Sequence, residues 1–424
     1  MLLYDDLANL SKENPIKVAL VGAGFMGLGI AEMIASTPGM DLVAISDIQL
    51  SRADKAFQSI GASNIKEVKN IEEASKLGSE DKIITNNYRI IPRLENIDIV
   101  IEATGIPEIG AEVVYRSIIN GKNIGTLNVE TDVTVGHYFA KLAETAGVIY
   151  TVCTGDEPVA IREMYDFFKT LNFEIISCGK GKNNPLDVHA TPFTLEETAA
   201  EKGLNPRILT EFVDGSKTMI EMCAIANSTG LSIDKRNMHG PRANIDEIAN
   251  ILCRREDGGI LNSSGVVDYV IGDLAPGVFI VAKPKGKMAD STLKYLKIGE
   301  GPNYLFYRPY HLTSIEVPIS IAYAVLYGKS SMLCLNPPTT EVITISKRDL
   351  KKGETIDYIG GYTVYGGIEK FDIAKEENLL PLGLSEGAEI IEDIPEDTPI
   401  KYNQVRVKES LLSTLRKLQD RMYE

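Results

Sequence analysis

Basic charge is in deficit in this chain: 44 Lys and Arg stand against 59 Asp and Glu in 424 residues, a formal net charge of −15. A surface of that sign argues against a nucleic acid or an anionic membrane as partner, while a local basic pocket for an anionic ligand stays compatible with it. Long apolar runs are missing too. None approaches the ~20 residues that span a bilayer, and residues 1–14 are acidic and polar, unlike the basic-then-apolar start of a secretory signal. The expectation is a cytoplasmic protein with no membrane segment. Cysteine is sparse: Cys153, Cys178, Cys223, Cys253 and Cys334 are an odd number, scattered, with no Cys-x-x-Cys pair. That argues against a zinc site or a disulfide frame and leaves them as small buried apolar residues. Apolar material, by contrast, is ample at 44% of residues. It is enough to fill the two or three domains that a chain of this length requires.

Residues 17–47 organise the rest. Lys-Val-Ala-Leu-Val is followed by Gly22-Ala-Gly24-Phe25-Met26-Gly27, by an apolar helical run over 28–34, and by Asp-Leu-Val-Ala-Ile-Ser-Asp47. A strand, a glycine turn, a helix and a second strand within about thirty residues form a dinucleotide grip. The first glycine permits the tight turn, Gly24 admits a pyrophosphate to the backbone, and Gly27 lets the helix pack on the strand. Asp47, closing the second strand, is placed to accept hydrogen bonds from the adenosine ribose, which favours NAD(H). Arg52 offers instead a partner for the phosphate of NADP(H).

The alternation continues. A buried strand over 97–102 ends in Glu102-Ala103-Thr104-Gly105, whose carboxyl end opens onto the cofactor crevice, and further helices and strands follow at 111–119, 123–127, 135–146 and 148–152. Asn128, just past the fourth of these strands, joins the candidate cofactor residues. The predicted fold is α/β: a doubly wound parallel sheet over residues 1–155, a central α+β substrate domain over 156–335, and a small β-rich module with a C-terminal helix over 336–424. An extra helix and strand over 157–178 are candidates to extend the first sheet. Residues 258–261, 265–272 and 277–282 read as strands of a second, mixed sheet, and a helix from Thr313 to about Tyr327 is expected to return to the nucleotide domain. Residues 67–87 give no clear pattern.

Polar functional groups gather on a few loops. Lys180, Lys182, Asn183, Asn184 and Asp187 follow a strand-like run, and His239, Arg308, Tyr310 and His311 lie on two further turns. A solvated turn is the plain alternative for the first group. In an acidic chain, cations on glycine- or proline-bearing loops suit a small anionic or polyhydroxyl substrate at the domain interface. In residues 205–229, read as one helical pattern, Asp214, Lys217 and Glu221 share a face. A surface salt-bridge ladder is the competing account. The apolar residues around them favour a site, in which desolvation and neighbouring cations lower the pKa of Lys217, Asp214 holds it, and it exchanges the proton that accompanies hydride transfer. Asp187, Asp214 and Glu221 are candidate oxygen ligands for Mg²⁺ or Mn²⁺, although no metal-binding loop is visible.

The segments 22–27, 102–105, 179–187, 212–219, 239–241, 267–278 and 308–312 together resemble the oxidoreductases related to homoserine dehydrogenase that carry a C-terminal SAF module, a family that includes the deoxyxylulose-phosphate reductoisomerase-like enzyme and apionate oxidoisomerase. The tail, with Lys352-Gly-Glu and Pro381-Leu-Gly-Leu-Ser-Glu-Gly, is similar to the antifreeze-like module behind sialic acid synthases. The resemblance implies an NAD(P)-linked oxidoisomerase or reductoisomerase acting on a sugar acid or sugar phosphate, and a homo-oligomer is the expected assembly. Homoserine dehydrogenases place Asn-Lys where this chain has Asn128-Val-Glu130, which counts against homoserine as substrate. Simple alcohol dehydrogenation is the nearest alternative reading, and a non-catalytic dinucleotide sensor is a more distant one.

Overall fold

The structure is a computed structural model that describes residues 3–10, 14–335 and 337–424. Its frame is a seven-stranded, wholly parallel sheet built from β1 (Ile16–Val21), β2 (Met40–Ser46), β3 (Ile65–Glu67), β4 (Lys82–Thr85), β5 (Ile99–Glu102), β6 (Asn123–Thr126) and β7 (Tyr150–Val152). Their order across the sheet is β3-β4-β2-β1-β5-β6-β7, so the chain reverses direction at β1, the switch point where open α/β sheets bind ligands. The register sets Val21 beside Ser46 and Glu102, and Glu102 beside Thr126. The segments that leave these strands therefore share one crest.

The central strands are apolar along their length because both faces are covered. On one face Ile30, Ala31 and Ile34 of helix Phe25–Ser36 pack with Val317, Ile321 and Ala322 of helix Val317–Tyr327, which returns to the nucleotide sheet as its sequence predicts. The approach is close: a Cβ on Gly29 would lie 2.6 Å from Ser314 Oγ. On the other face lie helices Pro107–Ile119 and Val129–Ala146. Residues 1–14, whose leucines at 3, 7 and 10 have helical spacing, contain a short helix at Leu3–Ala8; residues 1–2 and 11–13 of that stretch fall outside the described residues.

A second sheet of four strands has the order β11-β10-β8-β9, from β8 (Glu174–Gly181), β9 (Val266–Val270), β10 (Val278–Lys283) and β11 (Tyr304–Arg308). Here the expectation for residues 173–178 needs correction. β8 does not extend the nucleotide sheet; it lies in the middle of the second one, antiparallel to β10 and parallel to β9. Helix Glu157–Thr170 packs against it, with Phe168 stacked 4.2 Å from Phe306. Residues 258–261 form turns, not a strand. β3 and β4, which no sequence signal marks, are short strands toward one edge of the first sheet, where only part of each is buried and the apolar alternation fades.

Residues 205–229 form two helices, Pro206–Val213 and Ser216–Thr229, separated at Gly215, whose φ of +89° is left-handed. The C-terminal strands β12 (Thr340–Ser346) and β13 (Val364–Lys370) pair antiparallel. Val342, Ile368 and Leu382 from this part of the chain share one apolar cluster with Val129 of the nucleotide sheet's helix and Met219 of the helix after Gly215. The last helix, Leu411–Arg421, lies across helix Val129–Ala146, where Arg416 pairs with Glu341 at 2.5 Å and Gln419 accepts the N–H of Tyr138. No helix among the described residues is long and apolar enough to cross a membrane.

Candidate active site

The glycine turn is built around close approaches. Gly22 has φ +99°, and a Cβ there would lie 2.7 Å from the carbonyl of Ala103; a Cβ on Gly27 would lie 2.0 Å from the carbonyl of Gly22. Gly24 differs, since nothing stands within 4 Å of where its Cβ would be. The turn thus leaves open the space a pyrophosphate requires, at the N-terminus of a helix that begins with the exposed residues Phe25 and Met26. Asp47 is buried at the end of β2, and its two oxygens accept the N–H groups of Ala23 and Gln49, each at 2.8 Å. These two bonds fix the glycine turn to the end of the second strand. Arg52 is exposed on the following helix.

Thr104 and Gly105 open onto a cavity of about 560 Å³ between the crest of the first sheet and the second sheet. Buried Glu102 beneath them accepts the N–H of Thr104 at 2.7 Å and the hydroxyl of Thr126 at 2.9 Å, and burial holds its pKa above the usual range. Asn128 is not at the cavity. It caps helix Val129–Ala146 through Thr131 N–H at 3.0 Å and is buried, so Leu127 and Glu130 face the cavity in its place.

Lys180 and Lys182, two residues apart at the end of β8, reach the same side, as strand alternation requires. Lys217 and Glu221, four apart on one helix, meet them from across the cavity. The ammonium of Lys180 bridges Glu157, at 2.6 Å, and Glu221. Lys217 pairs with Glu130 at 2.8 Å. His311 stands with Nε2 3.3 Å from Glu157 and Nδ1 2.9 Å from the carbonyl of Gly155. Asn183 and Asn184 line the same space.

Electrostatics divide these groups. Burial alone would lower the pKa of Lys217, but Glu130, Asp156, Glu221 and Glu211 around it raise it well above its ordinary value. The expectation of a lysine tuned toward neutrality is therefore overturned for Lys217 and is met by Lys182, which burial and then Lys180 lower to about 8. Glu211 is raised to about 8 by burial and by Glu130, with which it shares a hydrogen bond; Glu130 is held low, against its burial, by Lys217. Burial and Glu157 raise Glu221 to about 7. Asp156, raised by burial, shares a hydrogen bond with Glu157, which Lys180 keeps ionised in spite of its own burial.

Several expected participants lie elsewhere. The break at Gly215 turns Asp214 away from Lys217; its buried carboxylate accepts Ser216 N–H at 2.9 Å and the ammonium of Lys347 at 2.9 Å. Asp187 is exposed, so Asp187, Asp214 and Glu221 do not assemble as a metal site. Asp156, Glu157 and His311 do approach one another within 4.8 Å, but the Lys180 ammonium already sits on the Glu157 oxygen that faces His311, where a divalent cation would be. His239 is held outside the cavity lining by Asp234, 2.8 Å from Nε2, and by Asp268, which accepts its N–H. Arg308 is committed to Glu316 and Glu163 and stacks on Tyr310, also away from the cavity. Sequence reasoning missed Glu130, Asp156, Glu157, Glu211 and Arg207. The first three carried a usable signal, since each follows a strand of the parallel sheet and so falls on its crest.

Family models match two stretches of the chain: the 3-hydroxyacyl-CoA dehydrogenase NAD-binding domain over residues 17–108, and the catalytic domain of oxidoreductase DRL over residues 155–317. The chain is an NAD(P)-dependent oxidoreductase acting on CH–OH groups. No curated protein matches it. Among solved structures it is similar to a putative myo-inositol dehydrogenase from Sinorhizobium meliloti, at 13% identity over 76% of this chain and 92% of that one, with a TM-score of 0.42. It is similar also to myo-inositol 2-dehydrogenase from Lactobacillus plantarum, at 14% identity over 74% and 91%, TM-score 0.40. A third is scyllo-inositol dehydrogenase from Lactobacillus casei with bound NAD(H) and scyllo-inositol, at 12% identity over 64% and 74%, TM-score 0.39.

Proposed function

We propose that this oxidoreductase couples hydride transfer to rearrangement of the carbon skeleton of a sugar acid or sugar phosphate, as the homoserine-dehydrogenase-related enzymes with a SAF module do. The bound dinucleotide supplies or accepts the hydride. In the reducing direction Lys217, cationic beside Glu130, donates a proton to the carbonyl oxygen as hydride reaches the carbon, and the proton shared by Glu130 and Glu211 is at hand to reprotonate it.

One observation carries the proposal: a second proton-carrying group, Lys180 with Glu157, Glu221, Asp156 and His311, faces the same cavity. Simple alcohol oxidation requires one acid–base group. Migration of a carbon substituent between neighbouring oxygen-bearing carbons requires a second hydroxyl to lose its proton while the first carbonyl gains one, and a second group serves that step. Simple dehydrogenation of a small hydroxy acid, as in homoserine dehydrogenase, is the alternative. On this reading residues 1–155 hold the cofactor, 156–335 the substrate, and 336–424 brace the substrate side. Asp47, a carboxylate at the ribose end, favours NAD(H) over NADP(H), and the five free, buried cysteines suit a cytoplasmic setting.

The test is incubation with NAD(H) and NADP(H) against branched sugars, aldonates and sugar phosphates, followed at the nicotinamide absorbance, with carbon NMR of the product. A rearranged skeleton is expected. Oxidation with the skeleton intact decides for the simple dehydrogenase, and tighter binding of NADPH than NADH by tenfold reverses the cofactor assignment.

A further inference from the structure

We infer that Arg207, with Lys182 beside it, reads a carboxylate or phosphate at the end of the substrate remote from the reacting carbon, and that the C-terminal module holds Arg207 in place to do so. The inference rests on the proposed reading of the cavity and adds to it the position and charge of a second substrate group.

Arg207 is the second residue of helix Pro206–Val213 and lines the cavity with Asn183, Asn184, Asn205 and Lys182. Its guanidinium is presented from behind. Nε donates to the carbonyl of Ile359 at 3.0 Å, and the group stacks on the ring of Tyr358 at 4.5 Å. The loop that supplies both can come this near because residue 360 is glycine: its φ is +74°, and a Cβ there would lie 2.5 Å from the carbonyl of Arg207. Among the described residues the one carboxylate paired with the terminal nitrogens, Glu386, is half-exposed and 3.8 Å away, too far for a bidentate pair. A planar cation fixed along one edge and lightly engaged on the other is arranged for a two-oxygen anion.

The neighbours agree. Lys182 spends one N–H on the carbonyl of Phe212, at 2.6 Å, which leaves its other donors to the cavity. Asn205 accepts the N–H of Arg207 through its oxygen, and its amide nitrogen donates to no partner among the described residues. Glu211, the acid nearest in sequence on this helix, is raised to about 8 and does not oppose an anion at neutral pH.

The helix also links this end of the cavity to the other. Glu211 lies one turn beyond Arg207, a rise of about 6 Å, and it bonds Glu130, the partner of Lys217. Arg207 and Lys217 line the same cavity. An aldonate or a sugar phosphate carries a terminal anion, and the corresponding alditol lacks the charge.

The experiment titrates D-ribonate, D-ribose 5-phosphate and ribitol into the NADH complex of the full chain and reads binding by calorimetry, alongside the Kd for NADH. Wild-type protein is expected to bind at least one of the two anions ten times more tightly than ribitol, and the two arms distinguish carboxylate from phosphate. Arg207→Lys and Tyr358→Leu should each weaken the preferred anion several-fold, Arg207→Met at least tenfold, with NADH affinity unchanged in all three. Anion binding in Arg207→Met equal to wild type overturns the inference, as does wild-type protein that treats ribitol and both anions alike. Hydride transfer lies outside this readout. Failure of the proposed reaction would show as anion binding without turnover of any substrate, whereas failure of the inference would show as turnover that Arg207→Met leaves at wild-type KM.

Discussion

At the scale of single residues, the cavity separates lysines by the company they keep. Lys217 sits among carboxylates and stays cationic, which makes it a proton donor, and Lys182, buried next to Lys180, is the amine brought near neutrality. Lys217→Met preserves the length of the side chain while deleting the proton carrier. Turnover should fall ~10²-fold or more with folding and cofactor affinity retained, and near-normal turnover in a folded variant would shift the role to Lys180 or Lys182. Glu211 supplies a pH prediction. Its pKa rises from 4.5 to about 8 on folding, by burial first and Glu130 second. The folded state binds that proton more tightly than the unfolded chain, so the stability it contributes is complete below pH 4.5 and is lost as pH rises through about 8. Glu130, held low, acts in the opposite sense and below 4.5, outside this window. Denaturant unfolding at several pH values should show stability declining between about pH 5 and 8, and Glu211→Gln should flatten that decline; a slope unaltered by the substitution refutes the assignment. Lys180, Lys182, Asn183, Asn184, Lys217 and His311 were legible in the sequence as members of one site because strand ends and helix faces are local patterns. Of the carboxylates that set their charges, Glu221 was legible on the face of Lys217, and Glu130, Asp156 and Glu157 are marked only by following parallel strands; Glu211 was not legible, since its pairing across elements leaves no mark on spacing.

Among the elements, the glycine turn shows how far a motif can be read. Its spacing announces a turn, but the three glycines have different reasons, and those reasons are separable by experiment. A Cβ on Gly27 meets the Gly22 carbonyl at 2.0 Å, whereas a Cβ on Gly24 meets nothing. Gly27→Ala should therefore destabilise the fold, of the order of 1–3 kcal/mol as overpacked sites do. Gly24→Ala should leave unfolding unchanged and weaken NADH binding at least tenfold, because the methyl group enters the space reserved for pyrophosphate. Equal loss of stability in both variants would show that Gly24 is structural. The parallel strands β1, β2 and β5 were readable from near-continuous apolar runs, since both faces of each are covered, and β6 and β7 from their places in the alternation of helix and strand. Two failures have separate causes, one local and one long-range. A single residue, Gly215, divides a pattern that is helical on both sides, and so rotates Asp214 off the face that carries Lys217 and Glu221. β8 looks like an eighth parallel strand by position, and what assigns it to the second sheet is its pairing with β9 and β10, about ninety residues or more farther along.

For the molecule as a whole, the C-terminal module is tied to the helix that carries Lys217. Residues 336–424 read as a separate small domain in sequence, because proline and a change of pattern mark their start. Folded, they share an apolar cluster with helices of both other parts, and Gly366 donates to Ser216 Oγ at 2.7 Å, beside Lys217. Lys347 is the strongest link. Nearly all its surface is buried, and its ammonium donates to Ala190 O, Asp214 and Gly361 O at 2.8, 2.9 and 3.0 Å. Burial outweighs Lys347 at Asp214, whose pKa stays above the usual carboxylate range, so the pair is costly to desolvate even while it is intact. Two consequences follow for mutation. Lys347→Met leaves the Asp214 carboxylate buried with only the N–H and hydroxyl of Ser216 to bond it among the described residues, and should cost about 3–5 kcal/mol in denaturant unfolding. Adding Asp214→Asn to Lys347→Met removes the stranded charge but keeps an oxygen for Ser216, and should recover more than half of that loss. Strict additivity of the two substitutions would mean that the pair does not couple the module to the Lys217 helix. Recovery of stability without recovery of turnover would place the value of the pair in orienting Lys217, since Asp214 accepts the N–H of Ser216, the residue that begins its helix.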